Sequence, residues 1–356
     1  MMLLQSDLTL LHSLKVFATE KIFGREIYEM KIFAYSLRPY DEQTYFEDIC
    51  KRMGIEYGFT SEYPSLSNAD FAEGYDALSI LTNTMDPALL DKFKFLGIRY
   101  ISTRTIGYDH IDNAYAHSIG IRTASISYDP TGVADYSIMM MLMGLRKIMP
   151  IIERGNIQDY SLKGKLGRHI QDCTVGIIGT GRIGTKVIEH LSGFGCKMLC
   201  YDIKKNDEAA KFAEYTDLDT IYKNCDIISL HVPGLQDNYH MIGEEQFAMM
   251  KDGVMIINCA RGMLIDTQAM ISAIESGKIG FAGLDTIENE AGLYYLDRKG
   301  DILDNHDMAL LKSFPNVLLT SHMAFYTDVA VREMVEHCVE GILKMDIGEF
   351  NPFEII

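Results

Sequence analysis

The chain of 356 residues lacks several features that would have directed it elsewhere. Its longest apolar run, Ile138-Met-Met-Met-Leu-Met-Gly-Leu145, is well under half of the roughly 20 residues a membrane span needs, so no membrane partner is expected. Basic residues are in deficit, 33 Lys and Arg against 50 Asp and Glu, for a formal charge of −17. That excludes an extended basic face for nucleic acid or an anionic membrane. It does not exclude a small anionic ligand, because one buried Arg can dominate a site locally. The seven cysteines form no C-x-x-C pair and no His/Cys spacing suited to zinc, so no metal is expected. Buried free thiols in a reducing cytoplasm are the plain reading. Low-complexity tracts and solenoid repeats are missing too. Met1-Met-Leu-Leu has neither a basic n-region nor a small-residue cleavage site and makes a poor signal peptide.

What is present fits a globular protein, with 47% hydrophobic and 23% charged residues. The length suits two domains. Strand-like and helix-like text alternates from about residue 30, which predicts α/β with parallel sheets. Residues 1–29 read as an N-terminal extension or a start-site overrun, with Met30 as the true start. Lys31–Tyr35, Ala77–Leu81 and Arg99–Thr103 read as strands of a first block, with helical text at Pro87–Leu96. A long helix is predicted from Thr131 to Met149, striped by Ile138, Met141, Leu142 and Leu145 at i, i+3, i+4 and i+7. A second block has six predicted strands, Thr174–Ile178, Lys197–Tyr201, Asp226–Leu230, Val254–Asn258, Gly280–Leu284 and Val317–Thr320. A doubly wound sheet of this kind suits a dinucleotide domain. Val329–Met345 reads as an amphipathic helix.

Thr174-Val-Gly-Ile-Ile-Gly179-Thr-Gly181-Arg182-Ile183-Gly184 reads strand, G-x-G-x-x-G, then helix. Alone, such a glycine pattern is weak. Here a strand precedes it, a helix follows, and Asp202 closes the next strand, 18 residues beyond Gly184. Gly179 permits the tight turn, Gly181 lets the backbone approach a pyrophosphate, and Gly184 lets helix and strand pack. The helix N-terminus holds the diphosphate. Asp202 would bind ribose hydroxyls and repel a 2′-phosphate, so the expected cofactor is NAD rather than NADP.

Three further segments end predicted strands of the same sheet: Asn258-Cys259-Ala260-Arg261-Gly262, Asp285-Thr-Ile-Glu288-Asn-Glu290, and Thr320-Ser-His322-Met-Ala-Phe325. Each alone has a bland surface reading. Their common place beyond the carboxyl ends of the strands, where open α/β sheets bind ligands, makes them candidates together. These motifs, with the glycine loop and Leu230-His231-Val-Pro233, resemble the D-2-hydroxyacid dehydrogenase family, and within it the D-lactate and D-2-hydroxyisocaproate dehydrogenase branch. The resemblance runs from about Met30 to the C-terminus. It implies NAD-dependent interconversion of a 2-oxo acid and a D-2-hydroxy acid, D-lactate first and branched or aromatic acids open. Arg261 would bond the carboxylate and carbonyl with its planar fork. His322 would be the general acid/base. Glu290, the second acid of D-x-x-E-x-E, would hold the imidazole. Asp285 would meet the nicotinamide carboxamide, and His231, Pro233, Cys259 and Ala260 would line the cofactor. Ile106, Gly107, Tyr128 and Phe325 would contact substrate.

By the same resemblance, the chain comprises two Rossmann-like domains. A doubly wound NAD domain, 129–325, is inserted in a smaller flavodoxin-like substrate domain, 30–128 with 326–356. A homodimer through the NAD domain is implied. Two departures stand out: Ser321 replaces the family's usual Pro before the histidine, predicting a less rigid backbone there, and Ala124-Ser-Ile126-Ser-Tyr128 lacks the common Pro of the domain crossing. The rival readings are an NAD-sensing protein resembling C-terminal-binding-protein corepressors and a phosphite-type dehydrogenase. Pocket volume alone separates the candidate side chains, at about 1–3 kcal/mol per methylene, so the substrate stays open.

Overall fold

The computed structural model describes Met30–Ile356 and, as backbone, Glu20–Ile22 and Arg25–Ile27, which pair as an antiparallel ribbon. The expectations for residues 1–29 otherwise lie outside the described residues. From there the chain divides into two compact units: one runs to Asp129 and resumes at Thr327–Ile356, the other is Pro130–Tyr326.

The first unit carries a six-stranded sheet in the order Glu354–Ile355, Arg122–Ala124, Tyr100–Thr103, Ala77–Ile80, Lys31–Ala34, Glu56–Phe59. All neighbours are parallel except the C-terminal strand, which is antiparallel to Arg122–Ala124. The five parallel strands follow the 2-1-3-4-5 order of the flavodoxin-like fold. The helix Asp328–Ile347 belongs to this unit and buries Val331, Met334, Val335, Cys338, Val339 and Ile342, a 3.6-residue stripe. Thr327 caps it by accepting from Ala330 N, and Gly348 ends it in the left-handed region, φ 71°.

At the centre of this unit Arg104 is fully buried. It donates from Nε to Glu42 Oε1 at 2.9 Å, from Nη1 to Ser79 Oγ at 2.8 Å, and from Nη2 to the carbonyls of Tyr35 and Ser36 at 3.1 and 3.2 Å. The guanidinium also lies 5.5 Å from the Phe46 ring centroid. All three guanidinium nitrogens donate and a carboxylate faces them, which is how a buried charge is tolerated.

The second unit is a seven-stranded, wholly parallel sheet: Glu214–Tyr215, Lys197–Tyr201, Thr174–Ile178, Ile227–Leu230, Val254–Asn258, Ile279–Leu284, Val317–Leu319. The order is 3-2-1-4-5-6-7, the doubly wound arrangement, and it reverses between Thr174–Ile178 and Ile227–Leu230. Strands buried on both faces need continuous apolar text, and Val254-Met-Ile-Ile-Asn258 is buried at every position. Register then aligns the strand ends. Tyr201 pairs with Ile178, Ile178 with Leu230, Leu230 with Asn258, Asn258 with Leu284, and Leu284 with Leu319. The residues just past that row are Asp202, Gly179, His231, Cys259, Asp285 and Thr320, so one edge collects the expected site.

Two expectations need correction. The long helix stops at Leu145, and a second helix, Ile148–Asn156, starts after Lys147, whose φ of 51° no α-helix accommodates. The short strands Glu56–Phe59, Arg122–Ala124, Glu214–Tyr215 and Glu354–Ile355 were not anticipated; each is partly exposed and two to four residues long. Among the described residues, no helix is long and apolar enough to cross a membrane, and no group of His, Cys, Asp or Glu is arranged to hold a metal.

Candidate active site

The glycine loop joins Thr174–Ile178 to the helix Arg182–Ser192. Gly179 has φ 99°, and a Cβ on Gly184 would come within 1.9 Å of the Gly179 carbonyl, so helix and loop pack as only glycine allows. A Cβ on Gly181 would meet nothing within 4 Å, which leaves room above the backbone for a diphosphate. Gly181 is the N-cap and brings no side-chain cap, so the first N–H groups of the helix, beginning at Arg182 and Ile183, keep their capacity for an anion. Asp202 is half-buried and accepts from Thr180 N at 2.6 Å and Lys204 N at 3.0 Å, which aims the carboxylate along the loop with lone pairs to spare for hydroxyl donors. These residues fit a dinucleotide.

Beyond the next strand, His231 has Nε2 2.8 Å from Ser229 Oγ, and desolvation pushes its pKa down from 6.5 to about 4, so the ring is neutral at ordinary pH. The carbonyl of Pro233 accepts from Asn238 Nδ2 at 2.7 Å, closing that loop. Cys259 is buried, its thiol pushed up to about 12 by desolvation first and the nearby Asp285 second. Ala260 N donates to Asn258 Oδ1 at 3.0 Å, while Asn258 Nδ2 donates to the Arg261 carbonyl at 2.9 Å. One asparagine therefore shapes the whole Arg261 turn. A Cβ on Gly262 would meet the Ile287 carbonyl carbon at 2.0 Å and Glu288 N at 2.4 Å, so this glycine lets the Arg261 turn press against the acidic segment.

On that segment the two glutamates have different partners. Glu288 Oε1 lies 2.7 Å from His240 Nε2, and its Oε2 accepts from Thr267 N and Oγ1 at 3.1 and 2.6 Å. Glu290 Oε1 lies 2.6 Å from His322 Nδ1, and its Oε2 accepts from Ile287 N at 3.1 Å. The structure thus brings Glu290 and His322 together and occupies Glu288 elsewhere. Both members of the Glu290–His322 pair are about a quarter exposed or less, so the contact is partly shielded from water.

His322 adopts φ 55°, a left-handed conformation unusual for a non-glycine residue. Asp285 holds it there. Fully buried, Asp285 accepts from Thr320 Oγ1 at 2.5 Å, Met323 N at 2.8 Å and Ala324 N at 2.9 Å, and its carbonyl accepts from His322 N at 2.8 Å. This bracket was not foreseen; the residue was singled out only for the nicotinamide. It also answers the Ser321 departure, since the turn is tied down by Asp285 rather than by a proline ring. Around the imidazole stand Tyr295 and Phe325, with ring centroids 6.0 and 6.4 Å away. Tyr295 carried no usable signal in the sequence.

The remaining expected contacts belong to the first unit. Ile106 is exposed, and Gly107 and Tyr128 are half-buried. The 104–107 loop is braced by Arg104 below and by Thr105 Oγ1, which donates to the Gly107 carbonyl at 2.6 Å.

A doubly wound sheet with a glycine-rich diphosphate cradle and a carboxylate–imidazole pair on one edge defines a nicotinamide-dependent oxidoreductase. Comparison with known proteins narrows this. Residues 138–324 match the model of the D-isomer specific 2-hydroxyacid dehydrogenase NAD binding domain. An aromatic 2-oxoacid reductase of Clostridium sporogenes is 44% identical over 90% of this chain and 96% of its own length. The D-lactate dehydrogenase of Escherichia coli is 34% identical over 92% and 100%. An NAD-complexed D-isomer specific 2-hydroxyacid dehydrogenase from Lactobacillus delbrueckii ssp. bulgaricus superposes with a TM-score of 0.81 at 32% identity, covering 92% of this chain and 100% of that one. The chain belongs to the D-isomer specific 2-hydroxyacid dehydrogenase family, and it is an NAD-dependent enzyme acting between 2-oxo and D-2-hydroxy acids.

Proposed function

We propose that the chain reduces a 2-oxo acid with an apolar side chain to the D-2-hydroxy acid, with His322 as general acid. The observation that carries this reading is the 2.6 Å contact of Glu290 Oε1 with His322 Nδ1 at the carboxyl edge of the NAD sheet. Bound NADH supplies the hydride. Glu290 accepts a hydrogen bond from the Nδ1–H, which stays on the ring, and so orients Nε2–H to give its proton to the carbonyl oxygen, leaving a neutral imidazole that in the oxidative direction takes a proton from the hydroxyl. Arg261 anchors the carboxylate and polarises the carbonyl through its planar fork. Its turn is pressed by Gly262 against the 287–290 segment, so anchor and acid are built on one scaffold. Gly179, Gly181, Arg182, Ile183, Gly184 and Asp202 hold the dinucleotide, with His231, Pro233, Cys259, Ala260 and Asp285 around it. Ile106, Gly107, Tyr128 and Phe325 meet the substrate. Pyruvate and larger 2-oxo acids present the same carboxylate and carbonyl to the Arg261 fork.

The substrate domain is assigned to 30–128 with 326–356 and the NAD domain to 129–325, supported by the two compact units. A homodimer is proposed through the helix Thr131–Leu145; an apolar depression of about 560 Å³ lined by Ile138, Met139, Leu142 and Phe194 supports it. Seven buried free thiols support a cytoplasmic location.

His322→Asn tests the mechanism, because Asn tolerates φ 55° and removes only the proton chemistry. The kcat for a 2-oxo acid falls about 10²–10⁴-fold while NADH affinity, read by fluorescence, stays near wild type. Undiminished kcat refutes the assignment.

A further inference from the structure

The 104–107 loop leans on a histidine that the proposed reaction does not use. Thr105 Oγ1 donates to the Gly107 carbonyl at 2.6 Å. That bond spends the only hydroxyl proton of Thr105, so Thr105 Oγ1 must accept from Thr103 Oγ1, 2.7 Å away. Thr103 is fully buried, and its alternative acceptor, the Leu81 carbonyl, lies further off at 3.3 Å. With its proton given to Thr105, Thr103 in turn accepts from His110 Nε2 at 3.1 Å. One terminal carbonyl therefore sets the direction of every bond behind it, and it sets His110 as protonated on Nε2. The far end of the chain is pinned too. Met85 N donates to the His110 carbonyl at 2.9 Å, and Met85 forms a parallel bridge with Ile111 next to it.

Resting on the reading of Ile106 and Gly107 as substrate contacts, we infer that His110 is a positioning residue: through Thr103 and Thr105 it holds the Gly107 peptide in the orientation that receives the substrate. Among the described residues, no hydrogen bond takes up the N–H of Ile106, Gly107 or Tyr108, so the turn presents three consecutive backbone donors. Such donors serve an anion well only when their peptide planes are set before it arrives. Two planes are set by their carbonyls. The Thr105 carbonyl accepts from Ile126 N at 3.2 Å, and the Gly107 carbonyl is held by Thr105. A trans peptide points its N–H opposite to its carbonyl, so these two bonds aim the N–H groups of Ile106 and Tyr108. Side-chain packing contributes little, because Ile106 and Tyr108 are exposed. The hydroxyl and imidazole bonds in series polarise one another, which makes the Gly107 tie stronger with His110 behind it than without.

The test is steady-state kinetics with NADH on the full chain, using pyruvate and phenylpyruvate, for His110→Leu, His110→Gln, Thr105→Val and the double variant His110→Leu/Thr105→Val. His110→Leu raises KM for both acids about three- to ten-fold, because the receptive turn is populated for a smaller fraction of the time. Its kcat stays within about two-fold of wild type and its KM for NADH is unchanged. His110→Gln, whose amide N–H reaches near the place of Nε2, recovers most of the loss. Thr105→Val resembles His110→Leu, and the double variant is no worse than Thr105→Val, because both changes cut one chain. Where the Leu variant does not fold, His110→Asn replaces it, since its shorter amide falls short of Thr103. A KM that stays put in His110→Leu but rises in Thr105→Val overturns the inference and leaves the loop as a substrate contact. A KM unmoved in both overturns the inference and the loop assignment together. Additive effects, no recovery by Gln, or a matching loss of NADH affinity also overturn it, because His110 then only supports the fold. Absence of turnover by wild type on any 2-oxo acid overturns the proposed reaction, and the inference with it.

Discussion

Asp285→Asn is the most informative single change, because the residue has an expected role toward the cofactor and an observed role toward His322. The amide must present one NH₂ where the carboxylate presented an acceptor. In its better orientation Nδ2 takes the place of Oδ2 and faces Ala324 N, which now donates to the aspartate at 2.9 Å. One buried N–H is stranded, at about 1–3 kcal/mol. The bonds from Thr320 Oγ1 and Met323 N survive at Oδ1 but lose the charge that roughly doubles their strength. Together these cost about 2–4 kcal/mol. For a unit of some 150–250 residues that lowers Tm by about 4–16 °C.

The same bonds fix the turn on which His322 holds φ 55°, and relaxing the turn displaces the imidazole from Glu290. A displacement near 1 Å lowers kcat by about 10²-fold. Differential scanning fluorimetry and steady-state kinetics on one preparation therefore report a fall in Tm and in kcat, with the larger effect on kcat than on the KM for NADH. A variant with Tm within about 1 °C of wild type and only a raised KM for NADH refutes the bracket and returns Asp285 to the nicotinamide.

Two further outcomes follow from desolvated groups. His231 is lowered from 6.5 to about 4 by desolvation, so between those values the unfolded chain binds more protons than the folded one. Stability then falls as pH drops through that window, by up to about 3 kcal/mol, and His231→Gln flattens this limb of a urea-midpoint profile; an unchanged limb counts against the argument. Arg104→Met leaves Glu42, itself fully buried, with Arg38 Nη2 at 3.4 Å as its remaining cation and costs about 3–5 kcal/mol by urea unfolding. Adding Glu42→Leu recovers much of the loss, and a single variant within about 1 kcal/mol of wild type shows the pair to be unimportant.

The sheet of the second unit was legible because parallel strands buried on both faces spell themselves in runs of Val, Ile and Leu, and three of the six expected strands match residue for residue. Edge strands such as Glu214–Tyr215 and Glu354–Ile355 have no such text, because half of each faces water and two residues show no period. The helix break at Lys147 was hidden for a different reason. The apolar stripe of Ile138, Met141 and Leu145 continues in composition through Ile148 and Met149, and a single left-handed residue leaves no mark in a periodicity count. The aromatic array at Tyr295 was equally hidden, since it depends on a loop returning to a strand end 27 residues later.

The choice between Glu288 and Glu290 shows where such reading stops. In an extended segment, residues i and i+2 share a face, so both acids of Glu288-Asn-Glu290 would meet the same neighbour. They do not: one lies against His240, the other against His322. Asn289 between them has φ 59°, a conformation that Asn accepts more readily than most residues, and it turns the chain so that the two carboxylates diverge. The divergence lets the pair do two jobs at once. Glu288, bonded to Thr267 at the start of the helix Thr267–Glu275, anchors the segment to the core of the unit. Glu290, two residues on, is thereby delivered to the imidazole without itself being needed for anchoring. A residue type suited to that backbone thus decides which carboxylate meets His322 and which meets His240.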